Sequence, residues 1–482
     1  MTVQQRQEVK PDICVIGAGA GGLAAAAAAA AFGVNVVLIE KAEMGGETLN
    51  SGALPSTALL AAAERAEAVR DAARFGVRSP RFAVDFAAVR ARVRDVVAAV
   101  APQDSRARFN GLGVRVLHGE ARFTDRETVA VDGYDVKARR FVIATGSSPA
   151  LPAIPGLSDT PHLTNETVFD LAACPRHLIV IGADSIGLEL AQAFRRFGAE
   201  VTVLATATPL PGADPECAAI VLDALAREGV VLRSAVEVAR VRRSLAHVQI
   251  DIVTAGGEPT RQQTIQGSHV LVAGGRRPNL ENLGLDAAGI RYEPDGIVVD
   301  GGLRTTNKQV YAIGAVIGAP SQSHLAHHHA GLVVRNALFR TPVDADRHAV
   351  PFVTYTDPEL AQVGLNEDDA RAQAGIIRVL RSPYRENDRA QATGATNGHI
   401  KVVTDRRGGI LGATIVGAAA CENIAAWTLA INQKLNIDAI AGVIVPYPTY
   451  AEVGKRAAMT YFTRGLTSPL VRRIIGWLRR FG

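Results

Sequence analysis

Short runs of apolar residues divide the first part of the chain into alternating strand and helix patterns. Residues 12–16 form one such run and residues 34–39 the next, with a glycine-rich turn and an alanine-rich stretch between them. Runs of this length are typical of parallel strands buried on both faces, and the alanine-rich stretch predicts a helix. The order of strand, turn, helix and strand predicts a Rossmann-type unit.

The turn of this unit carries glycines at the spacing of a dinucleotide-binding fingerprint, namely Gly17, Gly19 and Gly22. Such glycines let the backbone approach a pyrophosphate at the N-terminus of the helix, where N–H groups favour anions. Glu40 ends the second run, at the position where an acid accepts hydrogen bonds from ribose hydroxyls. The complete unit therefore predicts a bound dinucleotide.

A second unit of the same kind lies further along the chain. It consists of an apolar run, a turn with Gly182 and Gly187, a helix that carries Glu189, and a second apolar run. Asp184 stands at the middle glycine position, where a carboxylate is unfavourable beside a pyrophosphate. Neither an acid nor an arginine follows Leu204 to distinguish NAD from NADP. The unit therefore either positions NADH or NADPH, or is a Rossmann fold that has lost nucleotide binding.

From Pro351 the pattern changes to alternating strands with one helical stretch near 422–433, which predicts a third, α+β domain. With 482 residues, the chain is long enough for roughly three domains. The predicted fold class is α/β, with two Rossmann-like nucleotide-binding domains and a C-terminal α+β domain.

Composition and charge narrow the classes of protein to which the chain can belong. Hydrophobic residues make up 48% of the chain and charged residues 21%, which is ordinary for a globular protein. The net charge of +5 is small for this length and does not indicate nucleic-acid binding. The alanine run 24–31 is too short to span a bilayer, and the four cysteines are too scattered for a disulfide framework. A reducing, cytoplasmic setting is predicted.

Histidines cluster at position 324 and at positions 327–329. Three of them are adjacent and cannot all share one helical face, whereas a metal needs two to four converging ligands. The sequence therefore predicts no metal site here.

The C-terminal segment 466–482 predicts a basic amphipathic helix. Ser468 and Pro469 are a good helix start, with a capping hydroxyl and a proline at the first helical position. At about 100° per residue, the apolar side chains and the arginines fall on opposite faces: Leu470, Val471, Ile474, Ile475, Trp477, Leu478 and Phe481 against Arg472, Arg473, Arg479 and Arg480. Such a helix either binds the inner face of an anionic membrane through residues 468–482 or packs on the protein's own C-terminal domain.

The segment 45–57 is the most specific motif of the chain. It resembles the redox-disulfide segment GG-x-C-x-N-x-G-C-x-P-S-K of the pyridine nucleotide-disulfide oxidoreductases. Further matches follow in the family's order, namely the dinucleotide fingerprint, the turn at 144–146, the run 275–279 and the segment 357–364. Over nearly its whole length the chain resembles the class I flavoprotein disulfide reductases, in the branch of mercuric reductase and lipoamide dehydrogenase.

This resemblance implies a domain plan, the cofactors and an assembly. The FAD-binding domain is expected at 10–155 and 272–345, the NAD(P)-binding domain at 156–271, the dimerisation domain at 350–465 and the basic tail at 466–482. FAD and either NADH or NADPH are the implied cofactors, and a homodimer is the implied assembly. The expected cofactor-binding residues are Gly17, Gly19, Gly22, Glu40, Lys41, Gly46, Thr145, Gly146, Gly314, Ala315, Gly182, Gly187, Glu189 and Gly275.

The chain departs from the family pattern where the family's chemistry takes place. Thr48 and Ala53 stand at the two cysteine positions, Thr57 at the lysine position and Ala315 at an aspartate position. Thiolate is the nucleophile and the soft-metal ligand in this chemistry, so disulfide exchange and mercuric ion reduction by the family mechanism are not expected. FAD would lose one or two charge-assisted hydrogen bonds, worth roughly 1.5–3 kcal/mol each.

Tyr447 and Glu452 correspond, by the same resemblance, to the catalytic His–Glu pair of lipoamide dehydrogenase. A tyrosine also replaces that histidine in mercuric reductase. The resemblance implies that both residues reach the flavin site of the other subunit. Because the ordinary pKa of tyrosine is about 10, proton donation by Tyr447 would require tuning.

Two functions remain open on this sequence. The first is an FAD-dependent oxidoreductase that takes hydride from NAD(P)H and passes electrons directly to a small-molecule acceptor, such as a quinone or another small electrophile. In this hypothesis Tyr447 and Glu452 orient or protonate the acceptor, and Thr48 and Ala53 line a pocket opened by the lost sulfurs. The second is a non-catalytic scaffold or membrane-docking module, favoured by the changes at 48, 53, 57, 184 and 315.

Overall fold

A computed structural model describes residues 6–79, 82–244, 247–254, 262–318, 320, 322–345, 349–466 and 469–481. The described residues form two compact units. The first unit comprises Met1–Gly182, Ala193–Thr206 and Ala235–Asp346. The second unit comprises Ala183–Gln192, Ala207–Ser234 and Arg347–Gly482.

The α-helices of the described residues are, in chain order, α1 (Ala20–Ala31), α2 (Gly46–Asn50), α3 (Ala53–Asp71), α4 (Phe86–Val100), α5 (Arg106–Gly111), α6 (Ser185–Arg196), α7 (Pro215–Arg227), α8 (Ser323–Phe339), α9 (Glu367–Ala374), α10 (Asp388–Thr393), α11 (Ala420–Asn432), α12 (Ile437–Gly442), α13 (Glu452–Leu466) and α14 (Pro469–Leu478). The strands are β1 (Gln7–Val9), β2 (Ile13–Ile16), β3 (Val36–Glu40), β4 (Val114–His118), β5 (Arg122–Phe123), β6 (Val129–Val131), β7 (Tyr134–Val136), β8 (Arg140–Ile143), β9 (Ser147–Pro149), β10 (His177–Ile181), β11 (Glu200–Ala205), β12 (Val230–Ser234), β13 (Val236–Ser244), β14 (His247–Thr254), β15 (Gln262–Gly267), β16 (His269–Val272), β17 (Arg276–Pro278), β18 (Tyr292–Glu293), β19 (Gly296–Ile297), β20 (Val310–Ala312), β21 (Phe352–Thr354), β22 (Glu359–Gly364), β23 (Ile377–Pro383), β24 (His399–Asp405) and β25 (Ile410–Gly417).

A parallel sheet in the order β20-β8-β2-β3-β4 forms the centre of the first unit. Side chains of its middle strand alternate between two cores, as the geometry of a strand requires. Ile13 and Val15 join the core that contains residues of α1 and α8, whereas Cys14 and Ile16 join the core on the opposite face. Burial on both faces explains why this run is apolar without interruption, and it confirms the predicted Rossmann-type unit.

A second set of parallel strands lies in the first compact unit, where β10 pairs with both β11 and β16. The antiparallel strands β13, β14 and β15 form a separate sheet. Ile179 of β10 and Ile250 of β14 share one apolar core, which also contains Leu157. The two apolar runs predicted on either side of the second glycine turn are therefore present as the strands β10 and β11, and both are largely buried.

The second unit contains an antiparallel sheet in the order β21-β22-β25-β24-β23. Trp427 of α11 and Val453 of α13 pack in one core with Ile400 and Ile415 of the sheet. This architecture confirms the α+β prediction, and α11 corresponds to the helix expected near 422–433. The sequence pattern missed α9, α10 and α12, because helices of six to eight residues carry too few apolar positions to define a period. It also missed α13, a helix of 15 residues.

The helix at the C-terminus, α14, lies where the amphipathic tail was expected. The predicted cap, Ser468, lies outside the described residues. Among the described residues, none of the helices combines the length and hydropathy needed to cross a bilayer. The two compact units do not coincide with the expected cofactor domains, so the boundaries at 155, 271 and 350 stay predictions.

A buried lysine holds together two distant parts of the second unit. The Nζ atom of Lys401 lies 2.8 Å from Asp214, 3.1 Å from Glu216 and 2.9 Å from Glu367. The side chains of Lys401 and Asp214 are only 6% and 1% exposed. Arg381 also binds two of these carboxylates, at 2.7 Å from Glu216 and 3.3 Å from Glu367. We call these five residues the Lys401 cluster.

Charges in the Lys401 cluster compensate one another. Burial by itself lowers the pKa of Lys401, but hydrogen bonds to Asp214, Glu367 and Glu216 outweigh it and raise that pKa. Arg381 first, and Lys401 after it, lower the pKa of Glu216 to about 2. Lys401 and Glu216 therefore stay ionised at neutral pH, and each of these charges depends on its partners.

We expect Lys401→Met to destabilise the protein by about 3–5 kcal/mol, because the carboxylates would remain without their buried cation. Urea unfolding followed by circular dichroism measures the change. The matched control is Lys308→Met, since Lys308 is 72% exposed and lies 3.8 Å from Asp300. The control should shift stability by less than about 0.5 kcal/mol. Equal midpoints for the two variants would contradict the role given to Lys401.

Candidate functional site

A cavity of about 510 Å³ opens in the first unit at the carboxyl ends of β2, β3 and β8. Ligands of open parallel sheets bind at this edge, because the loops that follow several strands converge there. The wall includes the glycine turn before α1, helix α2 and the start of α8. The expected site residues that line this cavity are Gly17, Gly19, Glu40, Lys41, Gly46, Thr48, Ala53, Thr145, Gly146, Gly314 and Ala315.

Close backbone contacts explain two of the glycines around the cavity. A β-carbon on Gly22 would lie 1.8 Å from the carbonyl oxygen of Gly17, so no larger residue fits between β2 and α1. A β-carbon on Gly46 would lie 2.7 Å from Cα of Gly19, and Gly46 has a φ of +55°. The turn before α1 and the start of α2 therefore touch backbone to backbone.

Glu40, at the end of β3, organises the same turn. One carboxylate oxygen accepts a hydrogen bond from the N–H of Ala18 at 2.5 Å, and the other accepts from Ala42 at 2.8 Å. These bonds hold the carboxylate at the edge of the cavity, where the sequence placed a ribose ligand.

The turn at 144–146 is clamped to the run 275–279 by reciprocal hydrogen bonds. The hydroxyl of Thr145 donates to the backbone oxygen of Asn279 at 3.0 Å, and the amide of Asn279 donates to the oxygen of Thr145 at 2.8 Å. The N–H of Asn279 also donates to the oxygen of Gly146 at 3.0 Å. Two segments far apart in sequence thus form one side of the cavity.

A buried histidine supports the opposite side of the cavity. The N–H of Gly314 donates to Nδ1 of His329 at 3.3 Å, so this nitrogen carries no proton and the neutral ring is protonated on Nε2. His329 therefore has a packing role. Among the described residues, no group of three or more potential ligands is placed to hold a metal ion.

FAD, the dinucleotide expected from the fingerprint, fits this cavity. The volume lies within the range of ligand pockets, roughly 300–1,000 Å³. No described side chain caps the first turn of α1, whose N-terminus starts at the cavity edge, so its N–H groups are available to a pyrophosphate. Ala315 adds only a methyl group to the wall, and the weaker hold on the cofactor that the resemblance implies stays a prediction.

An ion pair that the sequence pattern did not reveal lies beside this cavity. Glu47 and Arg276 are 2.8 Å apart, and their side chains are 29% and 11% exposed. Asn165 donates to Glu47 at 3.2 Å and accepts from Arg276 at 3.3 Å, and Arg276 also donates to the backbone oxygen of Ser147 at 2.6 Å. The pair anchors α2 to a turn and a strand that follow much later in the chain. In the sequence, this ion pair was indicated only by the presence of an acidic residue, Glu47, inside the glycine-rich motif.

Thr48 and Ala53 both line the cavity, so the structure brings the two expected positions together. The Oγ1 atom of Thr48 lies 2.6 Å from Oγ of Ser323, the first residue of α8. Ser323 is a second cavity residue that the sequence pattern did not reveal. All four cysteines lie within the described residues as free thiols, and none of them lines the cavity.

Residues of the second fingerprint fall in both compact units. Gly182 belongs to the first unit, and Gly187 and Glu189 belong to the second. Gly275, of the separate run 275–279, also belongs to the first unit. The carboxylate of Asp184 accepts a hydrogen bond from the N–H of Gly187 at 2.9 Å, at the start of α6. Asp184 thus accepts a hydrogen bond from a helix N–H group that could otherwise donate to a nucleotide phosphate. The nicotinamide role of these residues stays a prediction.

Glu189 is buried and holds a segment of the C-terminal region. Its carboxylate accepts a hydrogen bond from the N–H of Tyr355 at 2.8 Å. Burial raises the pKa of Glu189 to about 7, against an ordinary value of about 4.5, and the hydrogen bond opposes this change only in part.

Tyr447 and Glu452 lie in the second unit. Tyr447 is 70% exposed, and its hydroxyl donates to Asp388 at 2.7 Å, which raises the pKa of the phenol. One carboxylate oxygen of Glu452 is buried without a hydrogen-bond partner in the part of the chain that the structure describes. Their role at the flavin site of another subunit stays a prediction.

Comparison with known proteins agrees with this architecture. The model of the pyridine nucleotide-disulphide oxidoreductases matches residues 11–330, and that of the family's dimerisation domain matches residues 350–458. Mercuric reductase of Streptomyces lividans is 35% identical over 459 residues, which cover 93% of this chain and 96% of the relative. Dihydrolipoyl dehydrogenase 3 of Pseudomonas aeruginosa is 36% identical, with coverage of 94% and 98%. The HOCl-induced flavoprotein disulfide reductase RclA from Escherichia coli matches with a TM-score of 0.83 and 26% identity, with coverage of 93% and 99%.

The raised pKa of Glu189 predicts a pH-dependent loss of stability. A carboxyl group whose pKa rises on folding stabilises the fold fully below about pH 4.5, and this contribution is lost as the pH rises through about 7. Glu189→Gln keeps an acceptor for Tyr355 and removes the charge. We therefore expect the variant to gain stability over the wild type between pH 5 and pH 8, on the order of 3 kcal/mol.

Thermal unfolding at several pH values measures this difference. Glu293→Gln serves as the control, because Glu293 is 57% exposed and pairs with Arg291 at the surface. Parallel pH profiles for the wild type and Glu189→Gln would rule out a buried ionisation at this position.

Proposed function

The chain belongs to the pyridine nucleotide-disulphide oxidoreductase family, and we propose that it passes electrons from NADH or NADPH through FAD directly to a small-molecule acceptor. Its relatives are oxidoreductases, and the family uses FAD and a pyridine nucleotide. The dimerisation domain indicates a homodimer. The direct transfer, without a redox disulfide, is the new element of this proposal.

The observation that carries the proposal is the pair of residues at the cysteine positions of the motif. Thr48 and Ala53 line the cavity, and the four free cysteines lie elsewhere. A hydroxyl group is not acidic enough to replace a thiolate, and a methyl group has no redox chemistry. Burial also raises the pKa of the Cys14 and Cys217 thiols, which keeps these cysteines unreactive.

When bound, FAD supplies a two-electron carrier that accepts hydride from NAD(P)H and returns it to a second substrate. With a quinone as the acceptor, NAD(P)H, one proton and the quinone give NAD(P)⁺ and the hydroquinone. The chain's own residues bind and orient the reactants. Glu40 and the glycine turn hold the dinucleotide, and the Glu47–Arg276 pair keeps α2 in position beside it.

Tyr447 and Glu452 of the second subunit orient the acceptor in this proposal. Tyr447 is 70% exposed, which supports a contact made only in the homodimer. The raised pKa of Tyr447 favours a hydrogen-bonding role over proton donation at neutral pH.

One observation favours a different function, a scaffold without catalysis. Asp184 accepts the N–H of Gly187 and thereby competes with a nicotinamide dinucleotide for the start of α6. Together with Thr57 and Ala315, which cannot make the family's charged contacts, this arrangement would weaken both cofactor sites. The two functions differ in whether a pyridine nucleotide reduces the bound flavin.

We expect the purified protein to be yellow and its flavin absorbance to bleach anaerobically with NADH or NADPH. Addition of 2-methyl-1,4-naphthoquinone should then restore the oxidised spectrum. Reductive titration should consume two electrons per FAD, because a flavin that shares a site with a redox disulfide takes four.

Each part of this experiment has a distinct contrary outcome. A colourless protein, or a yellow one that neither pyridine nucleotide reduces, would favour the scaffold. Uptake of four electrons per FAD would show that a disulfide participates after all. Replacement of each of the four cysteines by alanine is the matched control, and it should leave the uptake of two electrons per FAD unchanged.

We also propose that the protein is cytoplasmic and binds the inner face of the membrane through its C-terminal tail. The apolar side chains of α14 support this idea, since Ile475, Trp477 and Leu478 are 49%, 57% and 52% exposed. The segment 469–481 contains four arginines and no acidic residue. Exposed apolar and basic faces suit an anionic lipid surface better than packing on the protein itself.

Deletion of residues 466–482 should abolish co-sedimentation with anionic vesicles made of phosphatidylglycerol and phosphatidylcholine. Binding of the full chain should also weaken at high salt, because the arginines contribute electrostatic attraction. The double variant Arg472→Gln/Arg473→Gln should bind more weakly, and Arg335→Gln, far from the tail in sequence, should bind normally. Undiminished sedimentation of the deletion variant would reject the membrane proposal.

A further inference from the structure

Two hydroxyl groups meet in the wall of the cavity. Thr48 lies on α2 and Ser323 begins α8, yet their Oγ atoms are 2.6 Å apart. Both residues line the cavity, and the contact between them is partly buried. We propose that this hydroxyl pair binds a carbonyl oxygen of the electron acceptor, and that the acceptor is a neutral quinone.

The O–H hydrogens and lone pairs of Thr48 and Ser323 determine how many hydrogen bonds this hydroxyl pair can still make to a ligand. Each hydroxyl has one O–H hydrogen and two lone pairs, and the contact between Thr48 and Ser323 uses one hydrogen and one lone pair. Among the described residues, neither hydroxyl makes another hydrogen bond. One hydrogen therefore remains to be donated into the cavity, where the oxygen of an acceptor would lie beside the bound FAD.

Both hydroxyls are held by the surrounding structure. The backbone oxygen of Ser323 accepts a hydrogen bond from Nδ1 of His327 at 2.8 Å, and Leu325 in the same turn is buried. The amide of Asn50 donates to the oxygen of Gly46 at 2.9 Å within the helix that carries Thr48. The donor is therefore preorganised, which lowers the entropic cost of binding a ligand.

The surroundings of the pair select the chemistry of the ligand. The methyl groups of Ala53, Ala315 and Ala326 line the same cavity and favour an apolar body. The charge of Arg276 is already neutralised by Glu47, so an anionic ligand would find no free cation from this pair. A neutral donor in a cavity that also presents these methyl groups fits the carbonyl oxygen of a flat, apolar molecule, as in a quinone.

The inference rests on the proposed function for the use of the bound quinone, but binding can be tested without turnover. Equilibrium dialysis of 2-methyl-1,4-naphthoquinone against the oxidised protein, with no pyridine nucleotide, measures its dissociation constant. One of the two hydroxyls donates to the ligand, and the other fixes its direction by the contact between them. We therefore expect Thr48→Val and Ser323→Ala each to weaken binding, by about three- to tenfold for the hydroxyl that donates. The double variant should bind no more weakly than the weaker single variant, because the two hydroxyls act as one donor.

Matched variants separate a lost hydrogen bond from a damaged fold. Thr48→Ser keeps the hydroxyl and should bind like the wild type. Ser56→Ala removes a nearby hydroxyl whose hydrogen bonds to the backbone oxygen of Ala53, and it should also bind normally. If Thr48→Val and Ser323→Ala bind within twofold of Ser56→Ala, the hydroxyl pair is not a ligand site.

Steady-state kinetics distinguishes the failure of this inference from the failure of the proposed function. Quinone binding that depends on the hydroxyls, with no reduction by NADH or NADPH, would retain the binding site and reject the oxidoreductase. Reduction with the same KM and kcat in Thr48→Val and Ser323→Ala would retain the oxidoreductase and reject the hydroxyl pair. Where both hold, the variants should raise KM for the quinone more than they lower kcat.

Discussion

The contact of backbone against backbone at the edge of the central sheet is the constraint on which the site depends. Gly22 lies against Gly17, and Gly46 lies against Gly19, with no space for a β-carbon at either contact. These contacts determine how closely α1 and α2 approach β2, and hence where the cavity opens. Thr48 follows Gly46 by two residues on the same helix. The close contact between Gly46 and Gly19 therefore also determines where the side chain of Thr48 lies in the cavity wall.

Much of this arrangement could be predicted from the sequence, because the strand, turn, helix and acid of a Rossmann unit are close together in the chain. The fingerprint and Glu40 therefore led directly to the cavity. The pairs Glu47–Arg276 and Thr48–Ser323 could not be predicted, since each joins segments more than two hundred positions apart and neither leaves a periodic signal. The contact made by Asp184, in contrast, is local in the sequence. Its carboxylate accepts the N–H three residues ahead, which is ordinary helix capping, and this local alternative was recognisable from the spacing alone.

The scaffold and the chemistry of this chain have changed to different degrees. The edge of the central sheet that faces the cavity retains the fingerprint glycines and Glu40, and Asn279 still binds the turn at 144–146. At the position of the motif's cysteines, hydroxyl and methyl groups line the cavity, and a salt bridge anchors the helix that bears them. A fold of this kind keeps its cofactor edge for steric reasons, while the adjoining side chains remain free to vary.

The Lys401 cluster has a consequence for how this protein can be divided. Asp214 and Glu216 come from the middle of the chain, whereas Glu367 and Lys401 belong to the C-terminal region. A fragment that contains only residues 347–482 would give Lys401 one carboxylate of the three and leave much of its charge uncompensated in a closed environment. The C-terminal region thus depends for its charge balance on Asp214 and Glu216, which belong to a segment far earlier in the chain.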